Sequence, residues 1–524
     1  MNAPQDASPL NGAESLVTTL AASGVELCFA NPGTSEMHFV AALDRIPGVR
    51  CVLGLFEGVV TGAADGYWRM AGKPAATLLH LGPGLGNGVA NLHNAGKARS
   101  GIVNVVGDHA IDHARHESPL KSDAAAIAGS VSAWVRSSGS AAEVGLDAAA
   151  AVQATRDGAV GRIATLILPA DTAWGAGGRA AVAAAPAAPS FEPGAVPASA
   201  RLLQQLGSRA VLLIGAGGSA SERAQHLAAA IAARTGCRVL AEFYNARMPG
   251  GRGRPRIERL PYVVDAALAK LTGAEALVLA GAVEPIGFFA YPGKPSQLKP
   301  AGAALLTLAA PHQDVPGALQ ALADELGVSG EVTLPAQPRP VEPVGALDPE
   351  SIAAAIAATL PDQAVVIDEG ITTGRGLAGA MGAAAPHDWL AVMGGAIGWG
   401  LPGAVGAALG APGRPVLALE GDGSAMYTLQ ALWTMAREQL PVVVLVFANR
   451  AYRILQGELQ GVGATISGDK ARDMLSLERP ALDWVSLARG HGVPGVRVQS
   501  AEALVKALRD GFASRAPCVV EVVL

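Results

Sequence analysis

The chain has 524 residues, of which 50% are hydrophobic and 16% are charged, and its formal net charge is −5. This length exceeds one ordinary hydrophobic core, so two to four domains are expected. The balanced charge, with no basic run, argues against nucleic-acid binding, and no apolar run is long enough to cross a membrane.

The N-terminal residues lack the basic start and the apolar run of a secretory signal. Four scattered cysteines match neither a disulfide framework nor the spacing of metal ligands, which is typical of a reducing compartment. A cytoplasmic location is therefore expected.

Two stretches rich in Ala, Pro and Gly divide the chain into three parts of similar size. They lie at about 175–199 and about 333–349, and their composition is typical of linkers. The predicted domains are residues 1–180, 200–332 and 349–524.

Short apolar runs alternate with alanine-rich helical segments in each part. These runs are apolar throughout, as expected for strands that are covered on both faces. Examples in chain order lie at 76–79, 102–106, 211–214, 276–279, 365–367, 416–419 and 442–447. We predict an α/β fold of three doubly wound domains with mostly parallel sheets, whose ligands bind at the carboxyl ends of the strands.

In the middle part, the run 211–214 leads into a glycine-rich segment, GAGGSA at 215–220. The segment is similar to a turn that binds dinucleotides, which would fit a nicotinamide or flavin oxidoreductase. A lone glycine turn is weak evidence in a chain with 65 glycines.

The C-terminal part places polar residues after two successive predicted strands. Asp422 follows the run 416–419, and Asn449 follows the run 442–447. Carboxyl ends of neighbouring parallel strands meet at one edge, so the two side chains should lie together. Carboxylate and amide oxygens, with the Ala451 carbonyl as a third candidate ligand, suit Mg²⁺.

The glycines around Asp422 add a second feature to this edge. Gly421 and Gly423 let the backbone approach a phosphate closely. The N–H groups of Gly423 and Ser424 precede a helix, whose positive end favours an anion. The alternative is a tight strand-to-helix turn without a ligand.

The segments GDGSAMYTLQALW, from Gly421, and PVVVLVFANRAYRIL, up to Leu455, carry a family resemblance. They resemble the diphosphate-binding signature of thiamine-diphosphate-dependent enzymes, in the benzoylformate decarboxylase and acetolactate synthase branch. The resemblance covers the whole chain. It implies a pyrimidine-binding, a central and a diphosphate-binding domain in that order, with thiamine diphosphate and Mg²⁺ as cofactors.

The resemblance assigns three residues in the N-terminal part. Glu57 matches the glutamate that hydrogen-bonds N1′ of the aminopyrimidine and favours the tautomer that takes the C2 proton. Thr34, in NPGTSE, matches a hydroxyl residue that meets the substrate carboxylate. His80 matches an active-site histidine and could transfer protons near neutral pH. The alternatives are a helix-start glutamate, a Pro-Gly turn and a structural histidine.

Further residues are assigned in the C-terminal part. Ile397 matches the bulky residue that holds the two cofactor rings in a bent conformation. Thr372 or Thr373 matches a hydroxyl donor to the diphosphate. Tyr452 lies in the cofactor-binding region after Asn449, and the substrate pocket should also include Ile454 with Phe288 or Phe289.

The middle part departs from the decarboxylase pattern, because no histidine occurs in Pro285–Pro292. A histidine-rich loop offers candidates for that proton transfer: His109, His113 and His116, of which His116 is included among the predicted catalytic residues. Their spacing fits no standard zinc motif, and a solvated loop is the alternative.

The predicted function is decarboxylation of a 2-oxo acid, with carboligation as an additional activity. Thr34 and His80 favour the decarboxylase over an acetolactate synthase-type carboligase. Two further alternatives are an oxidoreductase and an inactive binding subunit, but the former leaves Glu57 and Asp422 unexplained. Flavin is not expected.

The resemblance also implies an oligomer. In this family the glutamate of one subunit faces the diphosphate clamp of another, so a homodimer is the minimum. Closed symmetry favours a homotetramer built as a dimer of dimers.

Overall fold

The computed structural model describes residues 10–329, 332–335, 337–466 and 468–524. The extreme N-terminus, on which the expected location partly rests, lies outside the described residues, and the predicted linker 333–349 is described except for residue 336. Within these ranges, no helix combines the length and apolar character needed to cross a membrane. All four cysteines carry free thiols.

The N-terminal sheet has six parallel strands, and its central strands are buried along their whole length. In spatial order the strands are Arg50–Leu53, Leu27–Ala30, Ala75–Leu79, Ile102–Asp108, Ile163–Pro169 and Trp134–Ser137. The helices of this part are Gly12–Ala22, Met37–Leu43, Glu57–Ala71, Leu81–Ala98, Ala124–Gly129, Val144–Ala154 and Ala170–Trp174, with a 3₁₀ turn at Thr34–Glu36.

The middle sheet has five parallel strands. In spatial order they are Glu258–Arg259, Arg238–Ala241, Ala210–Ile214, Ala276–Ala280 and Ala304–Ala309. The helices of this part are Ala195–Leu206, Ala216–Ala220, Glu222–Thr235, Val264–Leu271 and Val315–Glu325, with a 3₁₀ turn at Gly207–Arg209.

The C-terminal sheet has seven strands, of which the first comes from the middle part of the chain and pairs antiparallel. In spatial order they are Met248–Gly250, His387–Ala391, Ala364–Glu369, Val416–Gly421, Val442–Ala448, Cys518–Val523 and Gly495–Val498. The helices are Pro349–Thr359, Ile371–Gly374, Leu377–Ala380, Gly400–Gly410, Asp422–Ala425, Ala431–Arg437, Arg453–Gly461, Asp469–Asp473, Trp484–Gly490 and Ala501–Ser514, with a 3₁₀ turn at Met381–Ala383.

Two small ribbons complete the described elements. Leu10–Asn11 pairs with Ala176–Gly178, and Arg156–Asp157 pairs with Val160–Gly161, both antiparallel. The predicted α/β fold with three mostly parallel sheets is confirmed, and each of the seven predicted apolar runs lies in a strand.

The N-terminal and C-terminal sheets share one hydrophobic core, whereas the middle sheet has separate cores on its two faces. The shared core is closed by the helices Glu57–Ala71 and Gly400–Gly410, which pack directly on each other. Glycine makes this approach possible: a Cβ at Gly66 would lie 2.2 Å from the Gly403 carbonyl oxygen. The two outer sheets thus form one layered unit.

Candidate active site

Glu57 and His80 lie together at the carboxyl edge of the N-terminal sheet. Glu57 begins a helix, is 8% exposed, and accepts a hydrogen bond from Asn87 Nδ2 at 3.0 Å. His80 is the N-cap residue of the next helix. A Cβ at Gly84 would lie 2.8 Å from Glu57 Oε1 and 3.3 Å from His80 Cβ. The two titratable side chains therefore flank the same glycine.

A buried carboxylate, Glu36, holds the His80 ring. Glu36 Oε2 lies 2.9 Å from His80 Nδ1 and accepts the Gly33 N–H at 2.7 Å. The ring packs so closely on Gly33 that a Cβ there would lie 2.2 Å from Nδ1. An acceptor at Nδ1 favours the tautomer with its proton there, which leaves Nε2 for proton exchange. Thr34, on the same turn, is exposed.

Asp422 and Asn449 meet at the carboxyl edge of the C-terminal sheet. Asp422 Oδ2 accepts the Arg450 N–H at 2.6 Å, and Oδ1 accepts the Gly423 N–H at 3.0 Å. Asn449 Oδ1 accepts the Ala451 N–H at 3.0 Å. The Asp422 carboxylate therefore spans both strand ends, and the side-by-side arrangement predicted from the sequence is present.

The chemistry of this edge fits a cation and a diphosphate. Burial raises the pKa of Asp422, although N–H donors oppose the shift, and a dication beside the carboxylate would compensate for the burial. A Cβ at Gly423 would lie 2.6 Å from the Tyr452 ring and would fill the cradle. Ser424 Oγ accepts the Gly421 N–H at 3.1 Å, so its hydroxyl is engaged within the turn.

No cluster of three or more His, Cys, Asp or Glu side chains is arranged to hold a metal ion in the described ranges. This finding is compatible with a magnesium site of one carboxylate, one amide and one carbonyl, because Mg²⁺ keeps waters and phosphate oxygens in its remaining positions.

Two buried carboxyls, Glu369 and Glu420, lie behind this edge. Glu369 accepts the N–H groups of three successive residues, at 2.9 Å from Gly398, 3.2 Å from Trp399 and 2.8 Å from Gly400. Burial raises the pKa of Glu420 well above its usual range, and the Glu369 charge raises it further. Burial also raises the pKa of Glu369, to about 7, although the three N–H donors oppose this shift.

The remaining cofactor residues of the C-terminal part lie on two loops. Thr372 and Thr373 are half-buried in the short helix Ile371–Gly374, which follows the strand that ends at Glu369. Ile397 is half-buried in the loop whose last residues Glu369 binds. The sequence-predicted residues thus form an N-terminal group and a C-terminal group at two sheet edges.

The predicted histidine loop is exposed and lies after the strand that ends at Asp108. The rings of His109 and His113 are 5.3 Å apart, and those of His113 and His116 are 5.6 Å apart. His109 Nε2 lies 3.0 Å from Ser118 Oγ, a contact that holds the loop onto itself. No contact in the described residues joins His116 to Glu57 or His80.

Aromatic side chains from the middle part reach the loop that carries Ile397. A Cβ at Gly395 would lie 2.6 Å from the Phe288 ring. Phe288 packs against Phe289 at 4.8 Å and against Tyr262 at 5.5 Å between ring centroids. Tyr262 also donates a hydrogen bond to Glu458 at 3.2 Å. The predicted pocket residue Phe288 is therefore beside the cofactor loop.

Sequence reasoning missed the functional contacts of Glu36, Glu369 and the buried asparagines Asn91 and Asn94. Glu369 had a usable signal, because it ends a strand whose first four residues are apolar and whose last two, Asp368 and Glu369, are acidic. The asparagines had another sequence signal, because they lie three residues apart, on the same face of one helix. Glu36 has no local signal, because its partner His80 is 44 residues away.

Two family models match the chain. The N-terminal thiamine pyrophosphate-binding domain matches residues 10–127, and the C-terminal thiamine pyrophosphate-binding domain matches residues 375–522. The chain belongs to the family of thiamine-diphosphate-dependent enzymes.

Relatives place it in one branch of that family. It is 51% identical over 516 residues, covering 98% of this chain and 99% of the other, to "Putative acetolactate synthase large subunit IlvX" of Mycobacterium tuberculosis. It is 30% identical to the benzoylformate decarboxylase of Pseudomonas aeruginosa, covering 95% of this chain and 96% of the other. The thiamine diphosphate-dependent 4-hydroxybenzoylformate decarboxylase of Rhodococcus jostii RHA1 superposes with a TM-score of 0.84 at 26% identity, over 98% of both chains.

The family resemblance predicted from the sequence is therefore confirmed at the level of family and branch. The chain is a thiamine-diphosphate-dependent enzyme related to benzoylformate decarboxylases and acetolactate synthases.

Proposed function

We propose that the chain is a thiamine-diphosphate- and Mg²⁺-dependent 2-oxo acid decarboxylase with carboligase activity. The observation that carries the proposal is the group formed by Glu57, His80 and Glu36, in which an oriented histidine lies next to the cofactor-activating glutamate. Two relatives are named for the decarboxylation of benzoylformates, which are 2-oxo acids.

The chemistry that bound thiamine diphosphate supplies is nucleophilic addition to the 2-oxo carbonyl, with an electron sink for the pair released with carbon dioxide. Glu57 would hydrogen-bond the aminopyrimidine of the cofactor, and Asn87 supports the orientation of the Glu57 carboxylate. The Thr34 hydroxyl binds the substrate carboxylate. His80, held by Glu36 at Nδ1, would present Nε2 as the proton donor for aldehyde release.

The C-terminal edge holds the charged end of the cofactor. Its carboxylate, amide and backbone oxygens would coordinate Mg²⁺, its turn and hydroxyl groups would bind the diphosphate, and its larger side chains would support the rings. The proposed metal ligands are Asp422, Asn449 and Ala451. The proposed diphosphate-binding residues are Gly421, Gly423, Ser424 and Thr372 or Thr373, and Ile397 with Tyr452 would support the rings.

The assembly belongs to the same proposal. Residues 1–180, 200–332 and 349–524 are the three domains, a division supported by one mostly parallel sheet in each, although the strand Met248–Gly250 joins the sheet of the third. A homodimer, paired into a tetramer, brings Glu57 of one subunit to the clamp of another. Exposed apolar side chains beside both groups support this arrangement: Leu55, two residues before Glu57, is 47% exposed, and Tyr427, beside Gly398, is 54% exposed. The cytoplasm is the proposed location.

Acetolactate synthase-type carboligation is the second candidate, and the 51% identity to IlvX favours it. The two activities differ in the fate of the carbon that loses carbon dioxide, which is either protonated or adds to a second carbonyl. Bound flavin is not part of either proposal, because the Glu242 carboxyl occupies the space beside the glycine turn of the middle sheet.

The test is product analysis with pyruvate, benzoylformate and longer 2-oxo acids, after chelation and gel filtration of the protein. Aldehyde should form only when thiamine diphosphate and Mg²⁺ are both returned. Acetolactate from pyruvate as the main product would favour the second candidate. Full activity without either cofactor contradicts both. The same preparation should show no flavin absorbance.

A further inference from the structure

Three asparagines lie along one face of the helix Leu81–Ala98. Asn87, Asn91 and Asn94 are separated by four and three residues, which brings them above one another on a helix. Asn91 and Asn94 are 3% and 0% exposed. We call these three residues the asparagine ladder. Buried amides need hydrogen-bond partners, and the partners of this ladder lie in two distant segments.

The first two asparagines contact the start of the helix that begins at Glu57. Asn87 Nδ2 donates to Glu57 Oε2 at 3.0 Å. Asn91 Nδ2 donates to the Gly58 carbonyl at 2.8 Å and also to the Gly398 carbonyl at 3.0 Å. One amide group therefore joins the residue after Glu57 to the residue after Ile397.

Asn94 completes the connection on the other side of Ile397. Its Nδ2 donates to the Ala396 carbonyl at 2.7 Å, and its Oδ1 accepts the Ala396 N–H at 3.2 Å. Nδ2 also donates to Asn91 Oδ1 at 2.9 Å, which fixes the orientation of the Asn91 amide. The backbone on both sides of Ile397 is thus bound to a single helix.

We propose that Asn91 and Asn94 are positioning residues that fix the Ile397 loop relative to the first turn of the Glu57 helix within one chain. The inference rests on the proposed roles of Glu57 and Ile397. Removing the Asn94 amide takes away the side chain that binds both the Ala396 carbonyl and the Ala396 N–H. Removing the Asn91 amide cuts the link between Gly58 and Gly398 and leaves the Gly398 carbonyl to the Thr428 hydroxyl at 2.9 Å, so the loop can shift in either variant. A displacement of about 1 Å at a reacting group can slow a reaction about 10²-fold.

The experiment compares Asn91→Ala and Asn94→Ala with a matched control, Asn104→Ala. Asn104 is a buried asparagine on a strand of the N-terminal sheet, and in the described residues its side chain bonds to Thr77 and Thr165 of the same sheet. Two measurements are made: amide hydrogen exchange of the segment 394–400 in the cofactor-free chain, and C2 proton exchange of bound thiamine diphosphate at saturating cofactor and Mg²⁺.

Both ladder variants should lose amide protection at 394–400 and should slow C2 proton exchange about 10- to 100-fold, with little change in cofactor affinity. The control should lose stability only. C2 exchange in both ladder variants equal to that of the control, at similar thermal midpoints, would overturn the proposal. Asn91→Ser, which keeps one donor, replaces Asn91→Ala if that variant does not fold, and a partial loss is then expected.

Failure of the proposed function gives a different result. If the wild-type chain does not exchange the C2 proton at all, the roles of Glu57 and Ile397 are wrong. Amide protection at 394–400 then tests the role of the asparagine ladder independently of the chemistry. Loss of protection in the two variants supports the positioning of the loop, and unchanged protection overturns that role.

Discussion

The middle and C-terminal sheets share a parallel architecture with a glycine turn after a central strand, but their strand ends hold different groups. In the C-terminal sheet, the neighbouring strand supplies Asn449 and the Arg450 N–H that binds Asp422. In the middle sheet, the neighbouring strand supplies Glu242, whose Oε2 lies 2.1 Å from where a Cβ on Gly215 would stand. The Glu242 carboxyl therefore lies against the first glycine of the middle turn.

The comparison teaches that a glycine turn does not define a ligand site by itself. The residue at the end of the adjacent strand decides whether the turn remains available. An anionic group could approach the C-terminal turn, where N–H groups and a cation ligand converge, but Glu242 occupies the corresponding position in the middle sheet. Changes at the outer sheets should therefore affect chemistry, and changes at Glu242 should affect stability.

The largest effect is expected for Asp422→Ala. The carboxylate is the only charged ligand proposed at the metal, so Mg²⁺ and thiamine diphosphate should be lost together and turnover should fall at least about 10⁴-fold. Bound cofactor is measured by isothermal titration. Asp388→Asn is the control, since it changes a buried aspartate of the same sheet that pairs with Arg247 and Arg414. Wild-type cofactor affinity in Asp422→Ala would refute the clamp.

Glu57→Gln should separate activation from binding. The amide keeps a hydrogen-bonding oxygen for Asn87 but cannot drive the same tautomer of the aminopyrimidine. C2 proton exchange should slow about 10³–10⁴-fold, while cofactor affinity changes little. The measurement is hydrogen–deuterium exchange at C2, followed by NMR after acid quench. Exchange at the wild-type rate would make Glu57 a structural helix-start residue.

The strands that the sequence predicted are buried along their length, although two equally buried strands, Leu27–Ala30 and Ile163–Pro169, were not among them. The run 416–419 is apolar throughout because its strand lies inside the sheet. The edge strand Arg50–Leu53 was not predicted, since only one of its four residues is buried. Met248–Gly250 could not be predicted either, because it pairs with His387–Ala391 almost 140 residues away.

The residues of the candidate site also divide into those that could be predicted from the sequence and those that could not. Asp422 and Asn449 were predictable because each follows its own strand and parallel strands end at one edge. Glu36 and Asn91 were not, because their importance arises from contacts with His80 and Gly398 across the fold. Local sequence therefore predicts the groups that bind a ligand better than it predicts the groups that orient them.

His80→Ala should have an effect of about 10²-fold on aldehyde release, with cofactor affinity nearly unchanged. The carbon that has lost carbon dioxide would then be protonated slowly and could add to an acceptor aldehyde, so the share of hydroxyketone should rise. His491→Ala is the control, because among the described residues the His491 ring bonds to the Leu487 carbonyl, at 2.8 Å, one turn earlier in its own segment. The ratio of aldehyde to hydroxyketone is measured by chromatography. An unchanged ratio with normal turnover would leave His80 structural and would favour carboligation as the native activity.

The smallest effect on chemistry, and the sharpest test of the comparison, is expected for Glu242→Gln. Burial raises the pKa of Glu242 to about 7. Between the ordinary glutamate pKa, about 4.5, and 7, the folded chain holds a proton that the unfolded chain releases, so stability falls as the pH rises through this window. The variant lacks this titration and its amide can still accept the Val283 N–H, which Glu242 accepts at 2.9 Å. Between pH 5 and pH 8 the variant should therefore lose less unfolding free energy than the wild type, by up to about 3 kcal/mol, as measured by thermal unfolding at both pH values. Its turnover should be unchanged. Glu325→Gln, an exposed change in the same part of the chain, should behave like the wild type. Parallel pH profiles for Glu242→Gln and wild type would mean that the Glu242 carboxyl has the same pKa in the folded and the unfolded chain, which would contradict its burial beside the middle turn.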